Sequence, residues 1–155
     1  DDHVYDLPLH VRGALDPPAD ATECAPLGVD NGYEHLKNVK QTTADTLIVH
    51  TTPGRALRIA LHDTAERYLA EGMGKTPQEI IPLILRRLRG NDAYFAAVYE
   101  MTDDAGLTTP PLPFSMQPKS GGVTILCGDA TLTLDANTWV TIAGNELAIP
   151  PDAGP

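Results

Sequence analysis

The sequence is poor in aromatic residues, in basic residues and in cysteine, and each shortage narrows the classes of protein to which it can belong. Aromatic residues make up 5% of the 155 residues, and only two residues are cysteines, Cys24 and Cys127. Two cysteines do not make a disulfide framework, although one bridge between them is compatible with the sequence. Eleven basic side chains against 21 acidic ones leave a formal charge of −10, which argues against general binding to nucleic acid.

Long apolar runs are also missing. No stretch approaches the ~18 apolar residues that a membrane-spanning helix needs, so we expect no contact with a membrane. The chain begins Asp1-Asp2-His3, without the basic and apolar regions of a targeting signal. These features are typical of a soluble, acidic protein that is either cytosolic or trimmed of an earlier segment, and they leave its compartment open.

The length fits one domain, residues 1–155, with its own core, and the pattern along the chain divides it into four sections. Residues 1–50 are rich in Pro and Asp/Gly turns and predict an extended arm that ends in a strand at residues 46–50. Residues 53–101 predict a helical section, residues 102–122 a long Pro/Gly-rich loop, and residues 123–150 an antiparallel β meander. The strands of the meander are predicted at residues 123–127, 130–134, 138–143 and 146–149. We therefore predict an α+β domain in which two or three helices pack on a meander or partial barrel, flanked by extended Pro-rich segments.

The helical section rests on apolar spacing and on capping patterns. A helix is predicted over residues 53–71, because apolar side chains recur at about one-turn spacing from Leu57 onward. A second helix is predicted over residues 76–90, because Thr76-Pro77-Gln78-Glu79 matches a capping box ahead of an apolar run. Residues 92–101 predict either a short third helix or a strand, and their apolar spacing favours the helix.

No complete catalytic, metal-binding or nucleotide-binding motif is found in the sequence. Gly72-Met73-Gly74-Lys75-Thr76 ends like a phosphate-binding loop, but Leu69 stands where its first Gly is needed. His62-Asp63 lacks the further ligands of a metal phosphohydrolase. We therefore predict no catalytic residue, no metal and no cofactor, and we leave enzyme activity open while favouring its absence.

Basic side chains are concentrated in the predicted helical section. Residues 53–90 hold seven of the eleven basic side chains and four of the 21 acidic ones, so this segment is net positive on an otherwise acidic chain. One interpretation is an ordinary helical pair packed on an acidic body, and the other is a docking surface for an acidic partner or a neighbouring subunit. The candidate interaction surface consists of Arg55, Arg58, Arg86, Arg87 and Arg89.

The last third of the chain carries a family resemblance. Residues 121–134, Gly-Gly-Val-Thr-Ile-Leu-Cys-Gly-Asp-Ala-Thr-Leu-Thr-Leu, resemble the central strands of cupin barrels. Residues 144–151, Gly-Asn-Glu-Leu-Ala-Ile-Pro-Pro, are similar to the Gly-x5-Pro turn of the second cupin motif. The positions that carry the family's metal ligands hold Ser115, Gln117, Gly121 and Pro155. The resemblance therefore implies a partial barrel over residues 110–155 without the family's usual metal.

Two functions from different classes are compatible with these patterns. The favoured one is a non-catalytic structural or interaction subunit of a larger assembly, homo-oligomeric or viral-type, whose partners are proteins or copies of itself. Extended Pro-rich segments gain stability by packing on neighbours, and this hypothesis needs no catalytic residues. The alternative is a metal-free, cupin-like small-molecule-binding domain or enzyme, with Gln117 and Trp139 lining its pocket.

Overall fold

The structure is a computed structural model that describes residues 3–28, 32–76, 78–91, 93–119, 122–128, 130–135 and 141–142. Almost all of the described regular structure is antiparallel β-strand. The exceptions are two short 3-10 turns at Tyr33–His35 and Gly106–Thr108. The chain divides into two units, residues 1–110 and residues 111–155. The expectation of a single common core stays a prediction.

The first unit holds two antiparallel sheets built from nine strands. Their bounds are β1 His3–His10, β2 Ala14–Asp16, β3 Thr22–Glu23, β4 Lys37–Thr42, β5 Thr46–Thr52, β6 Arg55–Leu61, β7 Glu66–Met73, β8 Ile80–Gly90 and β9 Ala97–Asp103. Sheet I has the order β1-β8-β7-β4-β3, and sheet II has the order β2-β5-β6-β9. The predicted strand at residues 46–50 lies within β5.

The two sheets pack on each other through one apolar core. Sheet I contributes side chains such as Leu69 and Ile84, and sheet II contributes Leu47, Val49 and Ile59, all of them almost fully buried. In β5 the buried core residues Leu47 and Val49 alternate with less buried residues on the other face, which is the period of a half-buried strand. This packing makes the first unit a β-sandwich.

Strand β8 is covered on both of its faces. Leu83, Ile84 and Leu85 are consecutive and each is at most 3% exposed. Ile84 faces the sandwich core, whereas its two neighbours face the other side of sheet I. That outer side is covered by the segment around Tyr33 and Leu36. A strand buried on both faces has a continuous apolar run instead of a clean alternation.

The predicted α+β class is wrong, because no described segment is a helix of seven or more residues. Residues 53–71 include β6 and most of β7, and residues 80–90 of the second predicted helix form β8. From Leu57 onward, apolar residues recur at helical spacing and also at every second position. The residues at every second position, Leu57, Ile59 and Leu61, are the ones that face the core. Pro82 interrupts a helix but is compatible with a strand in which its missing N–H is not needed.

The predicted capping box and the predicted third helix are corrected in the same way. Glu79 closes a hairpin loop: its backbone N–H donates to the Thr76 carbonyl at 3.0 Å, and its carboxylate accepts from the Lys75 N–H at 2.7 Å. Residues 97–103, which overlap the predicted third helix, form strand β9. Hydrogen bonds between a side chain and nearby backbone groups occur in tight turns as well as at the ends of helices, so the same residues fit both structures.

The second unit contains an antiparallel sheet of four strands. These are β10 Phe114–Lys119, β11 Gly122–Cys127, β12 Ala130–Asp135 and β13 Thr141–Ile142, in that spatial order. Strands are present where the meander was predicted to begin, and β10 lies inside the predicted 102–122 loop. The predicted strand at residues 146–149 lies outside the described residues. Within the described part of the chain, no helix has the length and hydropathy needed to cross a bilayer.

Candidate functional site

The five arginines of the predicted interaction surface do not lie together. Arg58, Arg86 and Arg87 are buried, whereas Arg55 and Arg89 are exposed. Arg86 and Arg87 are consecutive in a strand and therefore point to opposite faces of sheet I. Docking of an acidic partner through this section stays a prediction, and the exposed side chains that can serve it are those of Arg55 and Arg89.

On the core side of sheet I, Arg86 forms a buried ion pair with Asp63. The Arg86 Nη1 and Asp63 Oδ2 atoms are 2.6 Å apart, and neither side chain is more than 6% exposed. Arg86 also donates to the Ala96 carbonyl at 3.1 Å and lies 5.3 Å from the ring centre of Phe95. The Asp63 carboxylate accepts from the backbone N–H groups of Ala65 and Ala96. Both charges are thus held by protein groups, as a buried pair requires.

A second arginine, Arg67, lies directly across the ladder from Arg86. Like charges in this position repel, and the surrounding acceptors offset the repulsion. Arg67 donates to the carbonyls of Thr43 and Asp63 at 2.9 and 2.8 Å and lies 3.0 Å from the Asp45 carboxylate. Its Nε is buried without a partner in the described part of the chain. The cluster ties three loops to sheet I and is structural.

On the outer side of sheet I, Arg87 is clamped between a carboxylate and two aromatic rings. It donates to both oxygens of Asp6 at 2.7 and 2.8 Å and lies 5.5 and 5.9 Å from the ring centres of Tyr33 and Tyr68. Tyr33 also donates to Asp6, and Tyr68 donates to Glu66 at 2.6 Å. The Arg87 hydrogen bonds hold the pKa of Asp6 below its usual value. Burial and the bond to Glu66 raise the pKa of Tyr68 to about 12.

In sheet II, Arg58 is only 4% exposed and is likewise satisfied from within. It donates to the Gly106 carbonyl at 2.6 Å and to the Glu100 carboxylate at 3.5 Å. It therefore fastens the 106–108 turn to the outer face of sheet II and offsets the charge of Glu100.

Groups with catalytic potential are sparse in the described residues. His50 lies between two carboxylates, 2.9 Å from Asp16 and 3.8 Å from Asp104. No three His, Cys, Asp or Glu side chains of the described residues converge in a way that could hold a metal ion. Cys24 and Cys127 are both free thiols.

The alternative pocket predicted from the C-terminal strands cannot be placed as a unit. Gln117 lies exposed on β10, and Trp139 lies outside the described residues. A cleft of about 790 Å³ opens instead in the first unit, lined by residues of β2, β3, β4, β7 and β8. Its charged lining residues are Glu23, Lys40 and Glu71, and none of its described lining residues is aromatic.

The cleft contains a strained backbone position. Asn38 has φ 52°, and it is the only described residue other than glycine with a positive φ. It sits in an irregularity of β4 between Lys37 and Lys40, and its Nδ2 donates to Glu71 Oε2 at 2.8 Å. Bulges and left-handed non-glycine residues are more frequent at functional sites than elsewhere.

An open sheet edge is the other candidate feature. Strand β9 pairs with β6 over seven residues without a register shift, and no described strand pairs with its other side. Tyr99 and Met101 are 49% and 61% exposed, although their register partners, Ile59 and Leu57, belong to or pack against the core. This edge presents unpaired backbone groups beside an apolar stripe.

Sequence reasoning missed both the cleft and the edge. The cleft is assembled from five strands that are distant in sequence, so no local pattern marks it. The edge had a local signal, because residues 97–101, Ala-Val-Tyr-Glu-Met, are rich in strand-forming types. Their apolar spacing also fits a helix, which is the structure that the sequence analysis favours for this segment.

Comparison with known proteins finds no relative: no family model, curated protein or solved structure matches this chain. The cupin resemblance therefore stays a prediction, and the function is argued from the geometry of the chain.

Proposed function

We propose that this chain is a non-catalytic interaction subunit of a larger assembly, and that the open edge of β9 is its docking strand. The observation that carries the proposal is the exposure of Tyr99 and Met101 on the core-facing side of an unpaired edge strand. Side chains on that side of a sandwich are normally covered, and an exposed apolar edge is a template for strand addition.

The edge of β9 lacks several of the devices that usually block such pairing. Its residues, Ala97 to Asp103, include no Pro, no Lys and no bulge, and its charged side chains are Glu100 and Asp103. The opposite edge of sheet II, β2, is three residues long, and the β3 edge of sheet I has two. Strand β1 is longer but is interrupted by Pro8. Among the described edges of the first unit, β9 is the best suited to accept another strand.

The charged side chains support a non-catalytic role. Asp63, Arg67 and Arg86 are engaged in the core cluster, and Asp6 and Arg87 in the outer one. Groups with these partners orient loops and strands and have little capacity left to bind or activate a substrate. The partners expected for the chain are therefore proteins, including copies of itself.

The test compares the mass of the assembly for the wild type and two matched variants. Met101→Lys places a charge on the β9 edge, whereas Met73→Lys changes the same residue type at a similar exposure, 58% against 61%, on the β7–β8 hairpin. Native mass spectrometry of each protein, purified from its source under mild conditions, should show a complex for the wild type and Met73→Lys and its loss for Met101→Lys. Equal complexes in all three would overturn the proposal.

The alternative of a small-molecule-binding domain is supported by a different observation, the strained Asn38 held by Glu71 inside the cleft. Lys40, a half-buried residue, adds a basic side chain to the lining of the same cleft. Pockets of this size with a few fixed polar groups commonly hold small ligands. A thermal-shift screen should find ligands whose stabilising effect disappears in Lys40→Met and persists in Lys75→Met, whose side chain lies exposed in the hairpin loop. A screen without any such ligand would remove this alternative.

A further inference from the structure

We infer that the partner of the β9 edge is a second copy of the same edge, paired antiparallel about a two-fold axis at Tyr99. This inference rests on the proposed function and names the partner of that same strand. Two identical strands that meet edge to edge around a two-fold axis must run antiparallel, and each residue contacts the same set on the other copy. The result is one continuous sheet of eight strands, four from each copy.

The sequence of β9 is self-complementary in this register. With Tyr99 opposite Tyr99 of the second copy, Ala97 lies opposite Met101 and Val98 lies opposite Glu100. The core-facing side of the joined edge then carries only Ala97, Tyr99 and Met101 from each copy. Aromatic and apolar cross-strand pairs of this kind stabilise antiparallel sheets. Of the two side chains exposed on this edge, Tyr99 then lies beside its own counterpart and Met101 lies beside Ala97 of the second copy.

The charges of β9 disfavour one of the neighbouring registers. A two-fold axis at Glu100 would place the two glutamates opposite each other, and an axis at Met101 would place Asp103 opposite Tyr99. Like charges directly opposite each other are destabilising, so the axis at Glu100 is disfavoured. With the axis at Tyr99, each Glu100 faces an apolar Val98, and its charge is already offset by Arg58 at 3.5 Å.

The overall charge of the chain gives the pairing a distinctive salt dependence. Each copy carries a formal charge of −10, so two copies repel each other over long distances at low ionic strength. Salt screens charges that are farther apart than about 10 Å at 0.1 M, while the apolar contact is preserved. Association of two copies should therefore strengthen as NaCl is raised, whereas association with a basic partner should weaken.

Cysteine cross-linking tests the register directly. In a Cys24→Ser, Cys127→Ser background, Tyr99→Cys places two thiols opposite each other, with Cα atoms about 4.5–5.5 Å apart, within the span of a disulfide. Mild oxidation with a glutathione redox buffer should convert most of this variant into a covalent dimer. The matched control is Met101→Cys, whose two copies would be offset by four residues, or roughly 14 Å, and should stay monomeric on a denaturing gel.

The outcomes separate the register, the partner and the function. Cross-linking of Met101→Cys in preference to Tyr99→Cys would overturn the register at Tyr99. Sedimentation equilibrium of the purified full chain should show a dimer whose dissociation constant rises about tenfold or more in Met101→Lys, and not in Met73→Lys. A chain that is monomeric at all concentrations and salt levels would overturn the self-pairing. If such a chain still forms a Met101-dependent complex with another protein in its source, the proposed function stands; if it forms none, both fail.

Discussion

Arg86 Nη1 lies 2.6 Å from Asp63 Oδ2 in the interior of the sandwich, and both side chains are almost completely buried. Asp63 precedes β7 and Arg86 lies within β8, so the pair joins the loop that enters β7 to the strand beside it in sheet I. Removal of one member leaves the other as an uncompensated charge away from water, which is far more costly than the loss of a surface pair.

Asp63→Ala should therefore lower the free energy of unfolding by about 3–5 kcal/mol. The matched control is Asp45→Ala, which removes a carboxylate that is 76% exposed from the same arginine cluster. Its cost should stay below about 1 kcal/mol, because water replaces much of what an exposed carboxylate supplies. Urea unfolding followed by circular dichroism measures both values, and similar costs for the two variants would contradict the structural role of the buried pair.

Protonation of Asp6 in acid should lower the free energy of unfolding, because Asp6 holds Arg87 on the outer side of sheet I. The hydrogen bonds from Arg87 hold the pKa of Asp6 below its usual 3.8. A depressed carboxyl pKa stabilises the folded state above the unfolded-state value, and this stabilisation is lost as the pH falls through the folded-state value. Asp6→Asn should be less stable at neutral pH and should lose less stability between neutral and acid pH than the wild type.

Denaturant titrations at a series of pH values test this dependence on Asp6. The matched comparison is Asp45→Asn, in which the replaced carboxylate is mostly exposed. A wild-type slope in Asp6→Asn would show that Asp6 is not responsible.

Alkali should act through Tyr68, whose pKa is raised to about 12 from the usual 10.0 by burial and by its bond to Glu66. A raised pKa of this kind stabilises the folded state below pH 10 and is lost as the pH rises towards 12. Burial also raises the pKa of Tyr33, so the titration is made in a Tyr33→Phe background. Ultraviolet titration of tyrosinate should show a late ionisation step in that folded protein which disappears when Tyr68→Phe is added. In denaturant, every tyrosine should ionise together near the ordinary value; a late step that persists in the double variant would assign it to another residue.

Because the backbone at Asn38 is left-handed, glycine should be tolerated better than alanine at this position. Asn38→Gly and Asn38→Ala both lose the hydrogen bond to Glu71, but only alanine has a Cβ that opposes a φ of 52°. The glycine variant should be more stable than the alanine variant by about 1 kcal/mol. At Gln41, an exposed residue of the same strand without a positive φ, the order should reverse, because glycine weakens an ordinary strand. The same order at both positions would contradict the assigned backbone.

Strands with a simple strand-like sequence pattern were predicted correctly from the sequence. Strands that are covered on both faces were mistaken for helices. The run at residues 46–50 and those at residues 123–127 and 130–134 are strands, as their β-branched content indicated. The run at residues 80–85 is apolar throughout because one face of β8 meets the sandwich core and the other meets the Tyr33 segment. A continuous apolar run fits a helix face as well, and only the covering segment, distant in sequence, decides between them.

The basic cluster illustrates the same limit for the candidate site. On a helix, Arg86, Arg87 and Arg89 would lie near one C-terminal end, which suggested a common surface. In a strand, Arg86 and Arg87 diverge to opposite faces, and each meets an aspartate far away in sequence, Asp63 and Asp6. Such partners depend on long-range strand pairing and leave no local signature. The β9 edge, by contrast, was within reach of a strand interpretation of residues 97–103.

Hydrogen–deuterium exchange of the backbone amides of β9, followed across a range of protein concentrations, tests whether the chain assembles through this edge. Amides on the open edge should exchange rapidly in dilute protein and become protected as concentration and NaCl are raised, with no such protection in Met101→Lys. Exchange in β9 that is independent of concentration, of salt and of the Met101→Lys change would contradict the claim that this edge is where the chain assembles.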